Sequence, residues 1–236
     1  MEAVVEQVRM DLLEVSKPGR AEFEKRYLKS SLEFIGAPVP EQAKLAKALW
    51  RAIKGCSRQE MWGLVEAMWK TRVHEIRGVA LDLLALAPAL VTKRDLPLLR
   101  RWVIESNGWA HVDTIATSIL PAVIAADPSA LTVMDRWALD ANFWVRRAAM
   151  LSLLLPLRRG DLGQWERFVA YASPQLGEKE FFIRKAIGWV LRETGKRQPQ
   201  VVFEFLMEHR SAVSGLTLRE GAKYLPPAMR ADLGLP

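Results

Sequence analysis

The chain has a single cysteine, Cys56, in 236 residues, so no internal disulfide can brace it. Its three histidines, His74, His111 and His209, lie far apart, and no Cys/His spacing resembles a zinc site. Neither a metal nor an organic cofactor is expected. The longest apolar stretches fall short of a membrane span; LDLLALAPALV has an Asp and a Pro within it. The chain begins MEAVVEQVRMDLLEVS, with acids at once and no basic-then-apolar leader, so a cytoplasmic protein without a membrane partner is expected. Period-two alternation flanked by hairpin turns is also missing, which argues against a sheet.

What is present is helical. Val4, Val5, Val8, Leu12 and Val15 recur at spacings of three and four, and Lys17-Pro18-Gly19 ends that helix. A second is expected over 20–34, a third from Pro40 to Lys54, and a fourth carrying Trp62, Val65 and Trp69. The pattern continues at about 73–87, 93–105, 109–124, 128–138, 142–157, 161–172, 179–195, 198–209 and 215–225.

Within this run a small unit recurs: an aliphatic residue, a charged one, a variable one, then small or aliphatic residues. Its copies are Ile76-Arg77-Gly78-Val79-Ala80, Val112-Asp113-Thr114-Ile115-Ala116, Val145-Arg146-Arg147-Ala148-Ala149, Ile183-Arg184-Lys185-Ala186-Ile187 and Leu218-Arg219-Glu220-Gly221-Ala222. The charged position advances by 36, 33, 38 and 35 residues. That period with short connections predicts an all-α fold, a right-handed α-α superhelix (solenoid) of HEAT-like repeats. No linker-like stretch interrupts it, so one domain over 1–236 is expected.

The repeated unit should lie near the start of the second helix of each pair, on a concave face. There Arg77, Arg146, Arg147, Arg184, Lys185 and Arg219 could line a basic groove, or could pair with acids of adjacent helices. The balance of 34 Lys+Arg over 27 Asp+Glu gives a net charge of +7, which suits a polyanion but does not demand one.

Asp113 is the exception, a carboxylate in a column of arginines. Trp109, four residues before it, shares its helix face. Trp189 lies on the corresponding helix of the fourth copy, five positions after Arg184. Both tryptophans also fit core positions, as Trp50, Trp62, Trp69, Trp137 and Trp165 do, and Asp113 could simply pair with an arginine. Read functionally, a carboxylate flanked by indole faces in a cationic groove suits a cationic ligand held near a polyanion.

The passages RYLKSSLEFIGAPVPE (26–41), NGWAHVDTI (107–115), NFWVRRAAML (142–151) and EFFIRKAIGWVLRE (180–193) carry a resemblance to the AlkD-type DNA alkylation repair glycosylases, built of HEAT-like repeats. The likeness spans most of the chain. It implies hydrolysis of the N-glycosidic bond of positively charged alkylated purines, such as 3-methyladenine and 7-methylguanine, in double-stranded DNA. By position it implies Asp113 as the catalytic aspartate, with Trp109 and Trp189 flanking the lesion. Arg147 and Arg192 become phosphate contacts, and Tyr27 an aromatic on the lesion side. Arg146, Arg184 and Lys185 complete the expected DNA-binding set. The family often reads Trp-Trp-Asp where this chain has Gly108-Trp109-Ala110, and the turn Ala37-Pro38-Val39-Pro40 lacks polar residues that relatives can place against DNA. Both departures bear on lesion range and affinity.

Chemistry agrees with this assignment. Glycoside cleavage passes through an oxocarbenium-like sugar that a carboxylate stabilises. A base that already carries positive charge departs neutral, so no partner acid is required, and one carboxylate suffices. The resemblance implies that the lesion stays in the helix rather than being flipped out, so no deep pocket is expected, and the enzyme is expected to act as a monomer with no obligate protein partner. The rival reading is a non-catalytic HEAT-repeat protein that binds DNA, senses damage or scaffolds other proteins, since fold alone does not decide. A phosphate-binding groove gains nothing from a carboxylate at its centre, which favours the enzyme. His111 is read as a packing or surface residue, Phe181 and Phe182 as a staple for their helix, and Cys56 as a small residue near a turn.

Overall fold

A computed structural model describes residues 1–106 and 108–236, and Asn107, the first residue of NGWAHVDTI, lies outside the described residues. All regular structure among them is helical, apart from an isolated parallel bridge between Glu33 and Val73. The chain forms two compact units, Met1–Asp127 and Pro128–Pro236.

The first unit holds α1 (Glu2–Glu14), α2 (Arg20–Leu28), α3 (Val39–Ile53), α4 (Arg58–Lys70), α5 (His74–Leu86), α6 (Leu96–Glu105), α7 (Trp109–Thr114) and α8 (Leu120–Ala126). Its starts follow from local chemistry. Ser57 and Glu60 make a reciprocal capping box on α4, and Pro40 sits in the first turn of α3, where a missing N–H costs nothing. Helix α5 is the centre of packing, with α3, α4 and α7 against it. Ile76, Val79, Ala80, Leu81 and Leu83 are completely buried there.

The helix expected over 20–34 stops at Leu28, and Lys29 turns left-handed with φ 48°. The following residues run extended because the start of α5 captures their backbone. Glu33 donates its N–H to the Arg72 carbonyl (3.1 Å) and accepts from His74 N–H (2.9 Å). The buried Glu75 carboxylate accepts from the N–H groups of Ile35 (3.0 Å) and Gly36 (2.6 Å). Gly36 has φ +87°, and a Cβ there would lie 2.9 Å from the Ala21 nitrogen, so only glycine fits. These bonds are non-local, and helical periodicity carries no sign of them. They fix α2 beside the N-terminal end of α5.

Helix α7 continues through a π turn over Ile115–Ile119 into α8. The widened turn precedes Pro121, which has no N–H to give the Thr117 carbonyl and whose ring crowds it. Contrary to the expectation that no apolar stretch reaches a membrane span, Trp109–Ala126 has mean hydropathy 1.3 over 18 residues and is long and apolar enough by length and composition to cross a membrane. Its residues Val112, Ile115, Ala116, Ile119 and Leu120 are buried, and α7 and the π turn pack on α5, so one face of it packs into the core of the unit.

The second unit holds α9 (Leu131–Trp137), α10 (Phe143–Ser152), α11 (Leu154–Arg158), α12 (Trp165–Ala172), α13 (Phe181–Gly195), α14 (Pro199–Glu208), α15 (Gly215–Gly221) and α16 (Pro227–Asp232). Helix α13 is central, packed by α10, α11, α14 and α15. The expected helix over 142–157 is broken at Leu153, and α16 lies beyond the last expected helix. Side-chain caps from Asn142, Glu180 and Ser214 start α10, α13 and α15. With Val73 and Gly108 as the cap residues of α5 and α7, every repeated unit begins three or four residues after an N-cap. That is the expected placement.

Candidate functional site

In the first unit the site is built on α7. Gly108 caps the helix in extended conformation, so Trp109 is its first residue and Asp113 lies one turn on, along the same face. Both are half-buried. Thr117 Oγ1 donates to the Asp113 backbone carbonyl (2.8 Å) and Thr114 Oγ1 to that of Ala110 (3.1 Å), which holds this turn firmly before the π bulge. Tyr27 of α2 meets Trp109 edge-on, with centroids 6.2 Å apart and planes at 88°. The structure therefore brings Trp109, Asp113 and Tyr27 to one neighbourhood. A small cleft lined by Leu28, His74, Gly108 and His111 adjoins the start of α7. A larger hollow of about 840 Å³, lined by Met1, Val5, Trp62, Gly63 and Lys70 among others, has none of these three in its walls.

Next to this site lies a column of stacked rings, half-buried at Phe34 and His74 and buried at His111, Trp69 and Trp102. Phe34 stacks on His74 (4.5 Å), His74 on His111 (4.3 Å), and Trp69 on Trp102 (4.5 Å), with Trp69 tilted against His111 at 5.8 Å. The His74 carbonyl lies 3.0 Å from His111 Nε2, so that nitrogen carries the proton and donates. Burial, helped by Arg77, lowers the His74 pKa to about 4. Burial also takes His111 well below its usual value, with neighbouring His74 and Arg77 acting in the same direction. Both imidazoles are neutral at neutral pH. Of the packing and surface roles expected for His111, burial against His74 and Trp69 makes it a packing residue.

Arg77 belongs to this column and not to a surface groove. It is buried, its guanidinium lies over Trp69 at 4.3 Å, and it donates to the carbonyls of Trp69 (2.8 Å) and Glu105 (3.3 Å). The desolvated guanidinium has its pKa lowered to about 10. The same pattern recurs in the second unit. Arg146 makes a bidentate pair with Glu178 (2.7 and 2.8 Å) and bonds Gln175 and the Asp140 carbonyl. Arg184 Nε donates to the Glu178 carbonyl (2.6 Å). Arg77 thus ties α5 to α4 and to the end of α6, Arg146 ties α10 to the segment before α13, and Arg184 bonds the residues just ahead of its own helix. Arg146 pairs with an acid, Glu178, whereas Arg77 and Arg184 bond backbone carbonyls.

On α13, Lys185, Trp189 and Arg192 share a face by spacing, and Trp189 is half-buried. Glu220 of α15 holds both cations: it pairs with Lys185 at 3.0 Å and with Arg192 directly. Arg192 also reaches Glu193 at 3.3 Å. This is possible because Gly188 lets α15 approach; a Cβ there would lie 2.7 Å from Glu220 Cβ. Arg147 is 4% exposed, donates to the Phe182 carbonyl (2.6 Å) and lies 6.0 Å over the Phe182 ring. Phe182 packs on Trp144 (4.6 Å) and staples α13 to α10, whereas Phe181 is 52% exposed.

Glu220, Glu178 and Phe23 were not singled out from sequence. Glu220 occupies the variable position of the fifth repeated unit, and Phe23 precedes Tyr27 by one helical turn; only those weak signals pointed to them. Among the described residues no three His, Cys, Asp or Glu side chains come together as a metal site requires.

A family model, DNA alkylation repair enzyme, matches residues 8–225. This chain belongs to the DNA alkylation repair enzyme family. The matched range crosses both units and includes Tyr27, Trp109, Asp113, Arg147, Trp189 and Arg192. No curated protein matches the sequence. Among solved structures, one described as a predicted DNA alkylation repair enzyme from Enterococcus faecalis is 27% identical, with TM-score 0.80, covering 90% of this chain and 97% of that one. AlkD2 from Streptococcus mutans is 16% identical with TM-score 0.68, covering 95% and 98%. The smu.31 structure from Streptococcus mutans UA159 is 18% identical with TM-score 0.61, covering 80% and 93%. At these identities the two streptococcal structures establish the shared helical-repeat fold.

Proposed function

We propose that this protein is a monofunctional DNA glycosylase that hydrolyses the N-glycosidic bond of positively charged alkylated purines, 3-methyladenine and 7-methylguanine, in duplex DNA. The observation that carries the reading is the pairing of Asp113 with Trp109 on one face at the head of α7, in a chain of the DNA alkylation repair family. Family membership supports a DNA substrate, and alkyl damage on it is part of the proposal. The carboxylate supplies the chemistry.

A cationic purine is a good leaving group because it departs neutral. As the bond breaks, positive charge moves onto the deoxyribose, and Asp113 stabilises that charge while water adds to the anomeric carbon. Trp109 shares the helix face of Asp113 and Tyr27 meets Trp109 edge-on, and aromatic faces favour a cationic group nearby. The lesion stays in the duplex, in keeping with aromatic residues that line an open face. The second unit is assigned backbone contacts through Arg147, Arg192 and Lys185, with Trp189 between the latter two on α13. In binding, Lys185 and Arg192 exchange the Glu220 carboxylate for phosphate oxygens. Arg146 and Arg184 contribute to the field near the strand while bracing the repeats. The reaction calls for no cofactor and no protein partner.

The test is release of free base from duplex DNA treated with a methylating agent, comparing wild type with Asp113→Asn. Wild type should release 7-methylguanine or 3-methyladenine, and the variant should slow by about 10²- to 10³-fold, the usual effect of deleting one electrostatic stabiliser. Release that survives the substitution removes Asp113 from the reaction. Absence of release with damage-selective binding intact would make this a sensing protein instead.

A further inference from the structure

Phe23 and Tyr27 stand one turn apart on α2, their ring planes parallel within 3° and their centroids 6.1 Å apart. With Trp109 edge-on to Tyr27 they form a continuous aromatic ladder leading to the helix of Asp113. The outer two rings are 61% and 65% exposed, and α2 has no buried residue at all. Helix α2 and its C-cap carry Arg20, Lys25, Arg26 and Lys29 against Glu22 and Glu24, and Glu24 is paired with Arg20. Large exposed rings with a basic rim mark a surface for a ligand both apolar and anionic.

A nucleic-acid strand has that chemistry. In a duplex the base faces are stacked away, so the apolar surface left beside the phosphates is the C–H surface of the sugars. On the proposed function above, we infer that Phe23 is a sugar-facing specificity residue: its ring packs on the deoxyribose of a nucleotide flanking the lesion and selects against ribose. A 2′-hydroxyl placed against a phenyl ring is desolvated with no partner, because Phe23 offers neither donor nor acceptor. Lys25, Arg26 and Lys29 supply the phosphate contacts that set the strand there.

The test uses the full chain and a duplex with one 7-methylguanine, in which each flanking nucleotide is replaced in turn by its ribonucleotide, with affinity read by anisotropy. At one flanking position the wild type should bind the ribo-substituted duplex about 5- to 100-fold more weakly, from the cost of an unpaired hydroxyl. Phe23→Ala should bind both duplexes alike, and Phe23→Trp should restore discrimination. The exposure of Phe23 makes loss of folding an unlikely confounder, and circular dichroism of the variant checks it. A wild type indifferent to ribose at every position, or one that fails to bind this duplex, overturns the inference. So does discrimination that persists in Phe23→Ala. The reading is by binding, so it separates from the glycosylase assignment: base release without a Phe23 effect sinks only this inference. Phe23-dependent discrimination without base release sinks only the enzyme.

Discussion

Gly188 is the position where one methyl group should cost the most. In the middle of α13 its Cα faces α15, and an added Cβ would lie 2.7 Å from Glu220 Cβ, 2.9 Å from Glu220 Cγ and 3.4 Å from the Thr217 carbonyl oxygen. Glu220 Cβ is rigidly attached to its backbone, so no side-chain rotation relieves the closest contact; α15 itself must move. Overpacking of this kind costs up to about 3 kcal/mol. Replacing a mid-helix glycine by alanine returns about 1 kcal/mol of helix propensity. Gly188→Ala should therefore destabilise the protein by about 2 kcal/mol, a fall in melting temperature of roughly 4–8 °C for a chain of this size. The cause is separable in a double-mutant cycle with Glu220→Gly, which deletes the two closest atoms and leaves only the Thr217 oxygen. In that background Gly188→Ala should be neutral or stabilising, giving a coupling of about 2 kcal/mol by calorimetry. A Gly188→Ala protein that melts at or above the wild-type temperature, or a loss that Glu220→Gly does not reduce, would refute the close-approach argument. The pairing of Lys185 and Arg192 through Glu220 would lose its structural basis with it.

Two further outcomes follow from the first unit. Glu75→Ala leaves the buried N–H groups of Ile35 and Gly36 without their acceptor and should cost about 2–4 kcal/mol in urea unfolding. Amide exchange should accelerate first over 31–36; uniform acceleration across the unit would contradict a local anchor. Stability should also fall on acidification. His74 titrates at about 4 in the fold against 6.5 for the free side chain, and His111 is shifted the same way, so the unfolded chain binds more protons below pH 6.5. The loss begins near pH 6.5 and reaches about 3 kcal/mol for His74 alone by pH 4. Glu75 and Asp82, whose pKa values burial raises, act in the opposite sense as they protonate. His111→Gln, which keeps a donor for the His74 carbonyl, should flatten the pH 5–6.5 part of the curve. An unchanged slope would show that His111 does not contribute to it.

Much of the architecture was legible because it is written in short-range periodicity. Apolar spacing of three and four, the turn residues around Pro18, Gly36 and Gly55, and a charged position recurring every 33–38 residues determine an all-α repeat fold and the helix starts. The same repetition exposed Asp113 as the odd member of its column, and the helical spacing to Trp109 put both on one face. Tryptophan burial was only partly readable: Trp62, Trp69 and Trp137 are buried as expected, while Trp50 and Trp165 remain half-buried at equally periodic positions.

What tertiary structure alone decided concerns partners that are distant in sequence. Nothing in the run from Arg20 to Phe34 says that its helix must end at Leu28; Glu75, some forty residues on, decides it by offering a buried carboxylate to backbone N–H groups. Sequence left the arginine column open between a binding surface and internal bracing. Geometry answers for Arg77, Arg146 and Arg184, because a guanidinium near buried carbonyls and Glu178 gains more from fixed acceptors than from water. Likewise Phe23 and Tyr27 share a helix face by local spacing, but the contact of Tyr27 with Trp109 exists only because remote segments meet. Local pattern determines which residues share a helix face; only the packing of remote segments determines which faces meet.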